Sequence, residues 1–212
     1  MTRLGLSNLE DVSLDDAREA FLAAQAENCR GPAPWRKRKL HELRTLVALD
    51  QTVPRLRLMH ADVRTEWHAL VALECPVPCR ALAADQEEAL GIVNGCHVAL
   101  TYPQKAMSQP LPGYAFAGIL VPRPVWHPHV SADNAQRVCL GTTLPVCTPI
   151  LQILLGVYGA LGMQNVRIDP RDPAGVLNRD AALWWMNHPD RMPLTDEPFL
   201  PLDLDAPQGE RP

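Results

Sequence analysis

The stretch Val125-Trp-His-Pro-His129, followed by Arg137-Val-Cys-Leu140 and then by Thr148-Pro-Ile-Leu-Gln-Ile-Leu-Leu155, decides how this chain is read. Its first two pieces lie in an irregular, Pro-punctuated segment from Pro122 to Pro145. The third opens a strongly apolar helix, with Thr148 suited to the N-cap and Pro149 to the first helical position. Ile150, Leu151, Leu154, Tyr158 and Leu161 fall on its buried face. Upstream, four short runs rich in Val, Leu and aromatics predict strands over Leu56–Val63, Trp67–Leu73, Cys96–Tyr102 and Ala115–Val121. No helical pattern interrupts them, so they predict an antiparallel meander. Asn94-Gly95 reads either as a tight turn or as a bulge at the start of the third strand.

Working outward, Ser13-Leu-Asp-Asp16 has the capping-box form, which predicts a helix over Leu14–Cys29 that stops at Gly31-Pro32. A second helix follows Pro34, with Leu40, Leu43 and Val47 on one face. Arg36, Lys37, Arg38, Lys39 and Arg44 cluster around its first turns, where positive charge opposes the macrodipole. Two readings follow: a solvated face, or a docking surface for an acidic partner. A last helix is expected over Ala174–Asn187, and a Pro- and Asp-rich tail from Pro193 on. The chain therefore divides into a helical extension (1–34), an α+β core (35–192) and a tail (193–212).

Composition narrows the classes. A net charge of −4 speaks against nucleic acid as the main partner, because phosphate binding needs a concentrated basic surface. Met1 to Asp16 has no basic start followed by an apolar block, so no secretory signal is read. Pro149–Met163, the longest apolar stretch, is shorter than the ~20 residues of a membrane helix. A cytoplasmic protein with no membrane partner is expected. The six cysteines are too scattered for a disulfide scaffold and are expected as reduced thiols. Cys75-Pro-Val-Pro-Cys79, with Cys96 or His97, has spacing compatible with zinc, but no second ligand pair follows, so neither metal nor cofactor is expected.

With its elements in this order, the sequence resembles the ubiquitin-conjugating enzymes. Those enzymes carry an aromatic residue before a His-Pro-Asn tripeptide, then an Ile/Val-Cys-Leu with the catalytic cysteine, then a Ser/Thr-Pro that opens an apolar helix. Val98-Ala-Leu-Thr-Tyr-Pro103 is similar to the family's strand ending in an aromatic-Pro pair. The resemblance covers roughly Trp35 to Arg191 in element order, with its specific motifs between Tyr102 and Leu155. It implies a ubiquitin-conjugating-like fold, a four-stranded antiparallel meander flanked by helices.

The resemblance also implies roles. Cys139 accepts the C-terminal carbonyl of a ubiquitin-like modifier from an activating enzyme as a thioester and passes it to an amine on a protein target. His127 is structural, bonding the backbone so that the segment presents Cys139. The family's Asn, an oxyanion donor, is replaced here by His129, whose N–H could serve in its place; Asn134 is a possible substitute from the loop itself. Asp169 and Asp172 fall near the family's acidic gate, though Asp169-Pro170 is also ordinary turn chemistry. Arg36, Lys37 and Arg38 become the dock for the activating enzyme. The ten positions from His129 to Cys139 make a slightly longer loop than usual, and Cys147 stands where most members have Trp. Lysine occurs only at 37, 39 and 105; this is either a compositional bias toward Arg or an adaptation of a protein that holds an amine-reactive thioester. The departures suggest a bacterial member from a ubiquitination-like operon linked to phage defence. Two other expectations stand beside the transferase: an inactive relative that binds or scaffolds a ubiquitin-like protein, and a cysteine hydrolase pairing Cys139 with His127 or His129, for which no triad is evident.

Overall fold

Ser13 opens α1 (Leu14–Asn28) by accepting a hydrogen bond at Oγ from the Asp16 N–H, 3.1 Å away. The structure, a computed structural model, describes residues 13–80, 90–164, 169–171 and 175–201. No residue of α1 is fully buried. The helix is tied to the sheet by Gln25, whose Nε2 donates to the Ala61 carbonyl and whose Oε1 accepts from the Val63 N–H. α2 (Ala33–Thr52) follows at once and buries Trp35, Leu43, Leu46, Val47 and Leu49.

After α2 come β1 (Leu56–Asp62), β2 (Trp67–Arg80), β3 (Leu90–Tyr102), a two-residue β4 (Leu111–Pro112) and β5 (Ala117–Val121). The main sheet has the order β1-β2-β3-β5 with antiparallel neighbours throughout, so the fold is α+β with a four-stranded antiparallel sheet. β4 pairs separately with β6 (Thr143–Leu144).

β2 and β3 run well beyond the spans expected from sequence. Pro76 and Pro78 argue against a central strand because they cannot donate to a ladder. They are tolerated here because β1 stops pairing at Leu56, opposite Leu73. Beyond that point the returning chain takes over the β1 side of β2: the Trp126 N–H donates to the Pro78 carbonyl, 2.8 Å, and the Arg80 N–H to the Pro124 carbonyl, 3.2 Å. Gly95, at φ +125°, lies opposite both Glu74 and Cys75 in the register shift of β2, so Asn94-Gly95 faces a bulge in β2 and is not a hairpin turn.

α3 (Ile150–Leu161) buries Ile150, Ile153, Leu154, Val157, Tyr158 and Leu161, while Leu151 is only half-buried. Its start differs from the expected cap. The Thr148 hydroxyl donates back to the Pro145 carbonyl, and the Ile150 N–H is capped from a distance by Glu42 of α2, 2.8 Å. α4 (Arg179–Asn187) begins five residues later than expected, where Asn178 accepts at Oδ1 from the Ala181 N–H. α2 and α3 pack on the sheet and on each other. Leu43, Leu46, Leu56, Leu73, Leu100 and Ile119 are fully buried there, each stabilising by roughly 1.5–3 kcal/mol. Residues 193–201 form neither helix nor strand and run along α3: Phe199 packs on Tyr158, and the Tyr158 hydroxyl donates to the Glu197 carbonyl. Among the described residues no helix is long and apolar enough to cross a membrane.

Candidate functional site

The segment after β5 makes a hairpin-like excursion whose base is the antiparallel bridge between Val130 and Val138. Its returning arm is stitched to β5: the Ile119 N–H donates to the Gln136 carbonyl and the Val138 N–H to the Ala117 carbonyl, both 2.9 Å. Gly118 allows this approach, since a Cβ there would come within 3.0 Å of the Ala135 carbonyl. At the base of the excursion the Cys139 N–H donates to the His129 carbonyl, 2.7 Å. Cys139 and His129, ten positions apart in sequence, are thereby hydrogen-bonded neighbours.

The His-Pro-His turn is held from three sides. His127 is fully buried, and its Nδ1 accepts from the His129 N–H, 3.0 Å. The proton of the neutral ring therefore sits on Nε2, which faces the Ala160 carbonyl of α3 without a well-formed hydrogen bond. Desolvation, with the neighbouring His129 ring 5.6 Å away, pushes the His127 pKa down to about 3. The Pro128 carbonyl accepts from the N–H groups of Leu177 and Asn178, so the start of α4 is fixed on the turn. His129 is 5% exposed, and its Nδ1 lies 2.6 Å from the Gly175 carbonyl. A carbonyl only accepts, so Nδ1 carries the proton, and Nε2 of the neutral ring is an acceptor. His129 can then donate from Nε2 to an oxyanion only as imidazolium.

Cys139 is 7% exposed, with Sγ 3.7 Å from the Gly141 carbonyl. Leu140 and Gly141 run against Gly113, where a Cβ would meet the Gly141 carbonyl at 2.3 Å, and Leu140 rests on Gly156 of α3. The thiol is thus set in a close-packed seam between the β4–β6 pair and α3. Gly141, Thr142 and Thr143 just beyond it are exposed.

The other expected site residues are distributed differently. Asn134 is exposed at the far tip of the excursion, its carbonyl held by Arg123 Nη1 at 2.8 Å. Cys139 lies beyond the Val130–Val138 base, so the fold does not bring these two together. The tip itself is shaped by Asp133, which accepts from the Ser131 hydroxyl and from the Ala135 and Gln136 N–H groups. The Ser131 bond is the main reason its carboxyl is held below the usual range. Asp169 is exposed and engaged in its own turn, accepting from the Arg171 N–H at 2.9 Å. Asp172 lies outside the described residues.

On α2 the basic run splits. Arg36 and Lys37 are exposed and, with Arg30, Arg44 and Glu27, line a groove of about 410 Å³ between α1 and α2. Arg38 turns inward to the Tyr102 hydroxyl and the Cys147 and Thr148 carbonyls, so it belongs to the interior and not to the basic face. Lys39 is completely buried. Cys75 and Cys96 meet in the core with their sulfurs 4.0 Å apart; the Cys75 thiol and burial together push the Cys96 pKa up. Burial raises the Cys79 thiol to about 11. No known protein-family model, curated protein or solved structure matches this chain.

Proposed function

We propose that the chain is a ubiquitin-conjugating-type transferase, probed at Cys139. The observation that carries the reading is the hydrogen bond from the Cys139 N–H to the His129 carbonyl. It ties a cysteine to a His-Pro-His turn made rigid by a buried, neutral His127, directly after a four-stranded antiparallel meander and before an apolar helix. A thiol suits the task because thiolate attack on an activating enzyme's thioester expels that enzyme's thiolate and leaves a new thioester, still activated toward amines. When an amine attacks in turn, the C–S bond breaks, Cys139 departs as thiolate and the amine loses a proton. That proton leaves to water or to a side chain of the target.

The test is a charging assay with an activating enzyme and its ubiquitin-like protein, taken from any encoded beside this gene. A thiol-sensitive adduct is expected on wild type, a thiol-resistant ester on Cys139→Ser and nothing on Cys139→Ala. Binding of both partners without any adduct would favour the second reading, a non-catalytic binding subunit, to which the 7% exposure of Cys139 lends support.

On the same reading, the exposed basic groove between α1 and α2 is the dock for an acidic face of the activating enzyme. The double variant Arg36→Glu/Lys37→Glu, which leaves the interior Arg38 in place, is expected to slow charging by about tenfold. Charge reversal at two rim positions acts chiefly on the association rate. The melting temperature should stay within about 1 °C of wild type, since exposed substitutions of this kind change stability little. Charging at the wild-type rate, or a loss that persists unchanged in high salt, would remove this surface from the mechanism.

A further inference from the structure

Two charged side chains of α2 that play no part in the chemistry above end on the segment that carries Cys139. Arg38 Nε pairs with Glu42 Oε1 at 2.7 Å, and the Glu42 side chain is 1% exposed. The other Glu42 oxygen accepts from the N–H of Ile150, the first residue of α3. Arg38 Nη2 donates to the Tyr102 hydroxyl at 2.8 Å, the Cys147 carbonyl at 2.9 Å and the Thr148 carbonyl at 3.1 Å. Tyr102, whose pKa is pushed up to about 12 chiefly by burial, donates its own proton to the Thr148 carbonyl. Cys147 is held in the left-handed region at φ +57°, an uncommon conformation for a residue with a Cβ, and its N–H donates to the Ala106 carbonyl.

The segment is therefore a strap anchored at both ends and once between them, where β6 (Thr143–Leu144) pairs with β4. One end anchor is the Cys139 N–H on His129; the other is the clamp on residues 147–150. Between them Gly141, Thr142, Thr143, Pro145 and Val146 are exposed. A buried ion pair contributes little net stability compared with well-packed apolar groups, but it enforces one geometry. This one holds the exit of the strap and the first N–H of α3 in a single arrangement.

We propose that Arg38 and Glu42 are positioning residues for Cys139: they hold the far end of its strap so that the thiol stays shielded and its backbone stays on His129. The consequence for charging rests on the conjugating function proposed above, whereas the consequence for the thiol does not.

The experiment is site-resolved alkylation of the intact, full-length chain by iodoacetamide, run beside the charging assay, on wild type, Glu42→Ala and Glu42→Gln. A core variant remote from the strap, Leu56→Val or Leu56→Ala, is chosen to match the melting temperature of Glu42→Ala. Losing the charge-assisted bonds of Glu42 should accelerate Cys139 alkylation by about tenfold or more, with Cys29 unchanged, while charging falls by about the same factor. Glu42→Gln keeps one oxygen for the Ile150 N–H but sets its amide N–H2 toward the Arg38 guanidinium, so it should fall between wild type and Glu42→Ala in both assays. The core variant should leave Cys139 at the wild-type rate. Should Glu42→Ala not fold, Tyr102→Phe, which deletes the hydroxyl between Arg38 and Thr148, gives the same readout with an expected acceleration of about threefold. Unchanged Cys139 alkylation, or acceleration equalled by the core variant, overturns the positioning role. A wild-type chain that alkylates as expected but is never charged overturns the conjugating reading and leaves the positioning role standing.

Discussion

Lowering the pH from 7 to 4 is expected to remove about 3 kcal/mol of stability from the wild-type protein that the variant His127→Asn does not lose. The cause is the burial of a neutral imidazole. In the folded chain the His127 pKa is pushed down to about 3 by desolvation, with the His129 ring adding to the effect. In the unfolded chain it returns to about 6.5. Between those values the unfolded state binds the extra proton, so stability falls as the pH falls. The contribution is fully present above about pH 6.5 and exhausted near pH 3. Asparagine keeps an acceptor near the Nδ1 position for the His129 N–H but cannot titrate, so its baseline will be lower and its acid limb flatter. Asp62, held down to about 2 mainly by its side-chain bond to Arg64, is present in both proteins and cancels in the difference. Urea midpoints at half-unit pH steps measure the effect. Parallel curves for the two proteins would mean that His127 is hydrated or protonated in the native state, contrary to its burial.

Lys39→Met is expected to destabilise the fold by about 3–5 kcal/mol, although methionine is apolar and close in volume. The Lys39 ammonium is completely buried, and among the described residues no carboxylate pairs with it. Its Nζ donates to four carbonyls: Val63 at 2.6 Å, Arg30 at 2.8 Å, Thr65 at 3.0 Å and Arg64 at 3.2 Å. The Trp35 ring lies 5.5 Å away and adds its quadrupole. Three parts of the fold meet on this one group: the connection from α1 to α2, α2 itself and the turn from β1 to β2. Methionine would leave those carbonyls without their donor in a low-dielectric interior, which is the costly side of removing one buried partner. Denaturant midpoints and hydrogen exchange over residues 63–65 test this. A loss below about 1 kcal/mol would show that the carbonyls find water or another donor.

Much of the architecture was legible from residue pattern alone. The apolar runs of β1, β2, β3 and β5, the helical face of α3 and the capping box of α1 are local signals, and each has its counterpart in the structure. The neighbourhood of His127, His129 and Cys139 was legible as a motif, although no single sequence position says that His129 offers its carbonyl to Cys139. What escaped depends on distant partners. Pro76 and Pro78 fell outside the strand expected over Trp67–Leu73 because a proline cannot donate to a ladder, yet the segment that covers them on the β1 side uses only the Pro78 carbonyl and the Arg80 N–H. Thr148 read as a cap, but Glu42, more than a hundred residues away, took the position. The basic run on α2 read as one feature, whereas helical geometry divides it. Trp35, Lys39, Glu42, Leu43 and Leu46 are spaced to share one face, and that face is buried. This spacing was present in the sequence and would have marked Lys39 and Glu42 as interior residues. Asn134 attracted attention by residue type and nearness in sequence, and the excursion carries it away from the thiol.

The burial of Lys39 has a bearing on the protein as a chemical reagent. Three lysines stand in the sequence, and only Lys37 and Lys105 present their side chains to solvent. Lys39 is shut away, its Nζ enclosed by the four carbonyls that accept from it. An acyl donor on this molecule, whether a synthetic active ester or a thioester at Cys139, would therefore find at most two side-chain amines to attack it. Side-chain sites in self-acylation maps should reduce to Lys37 and Lys105, and acylation at Lys39 would report that the chain had opened.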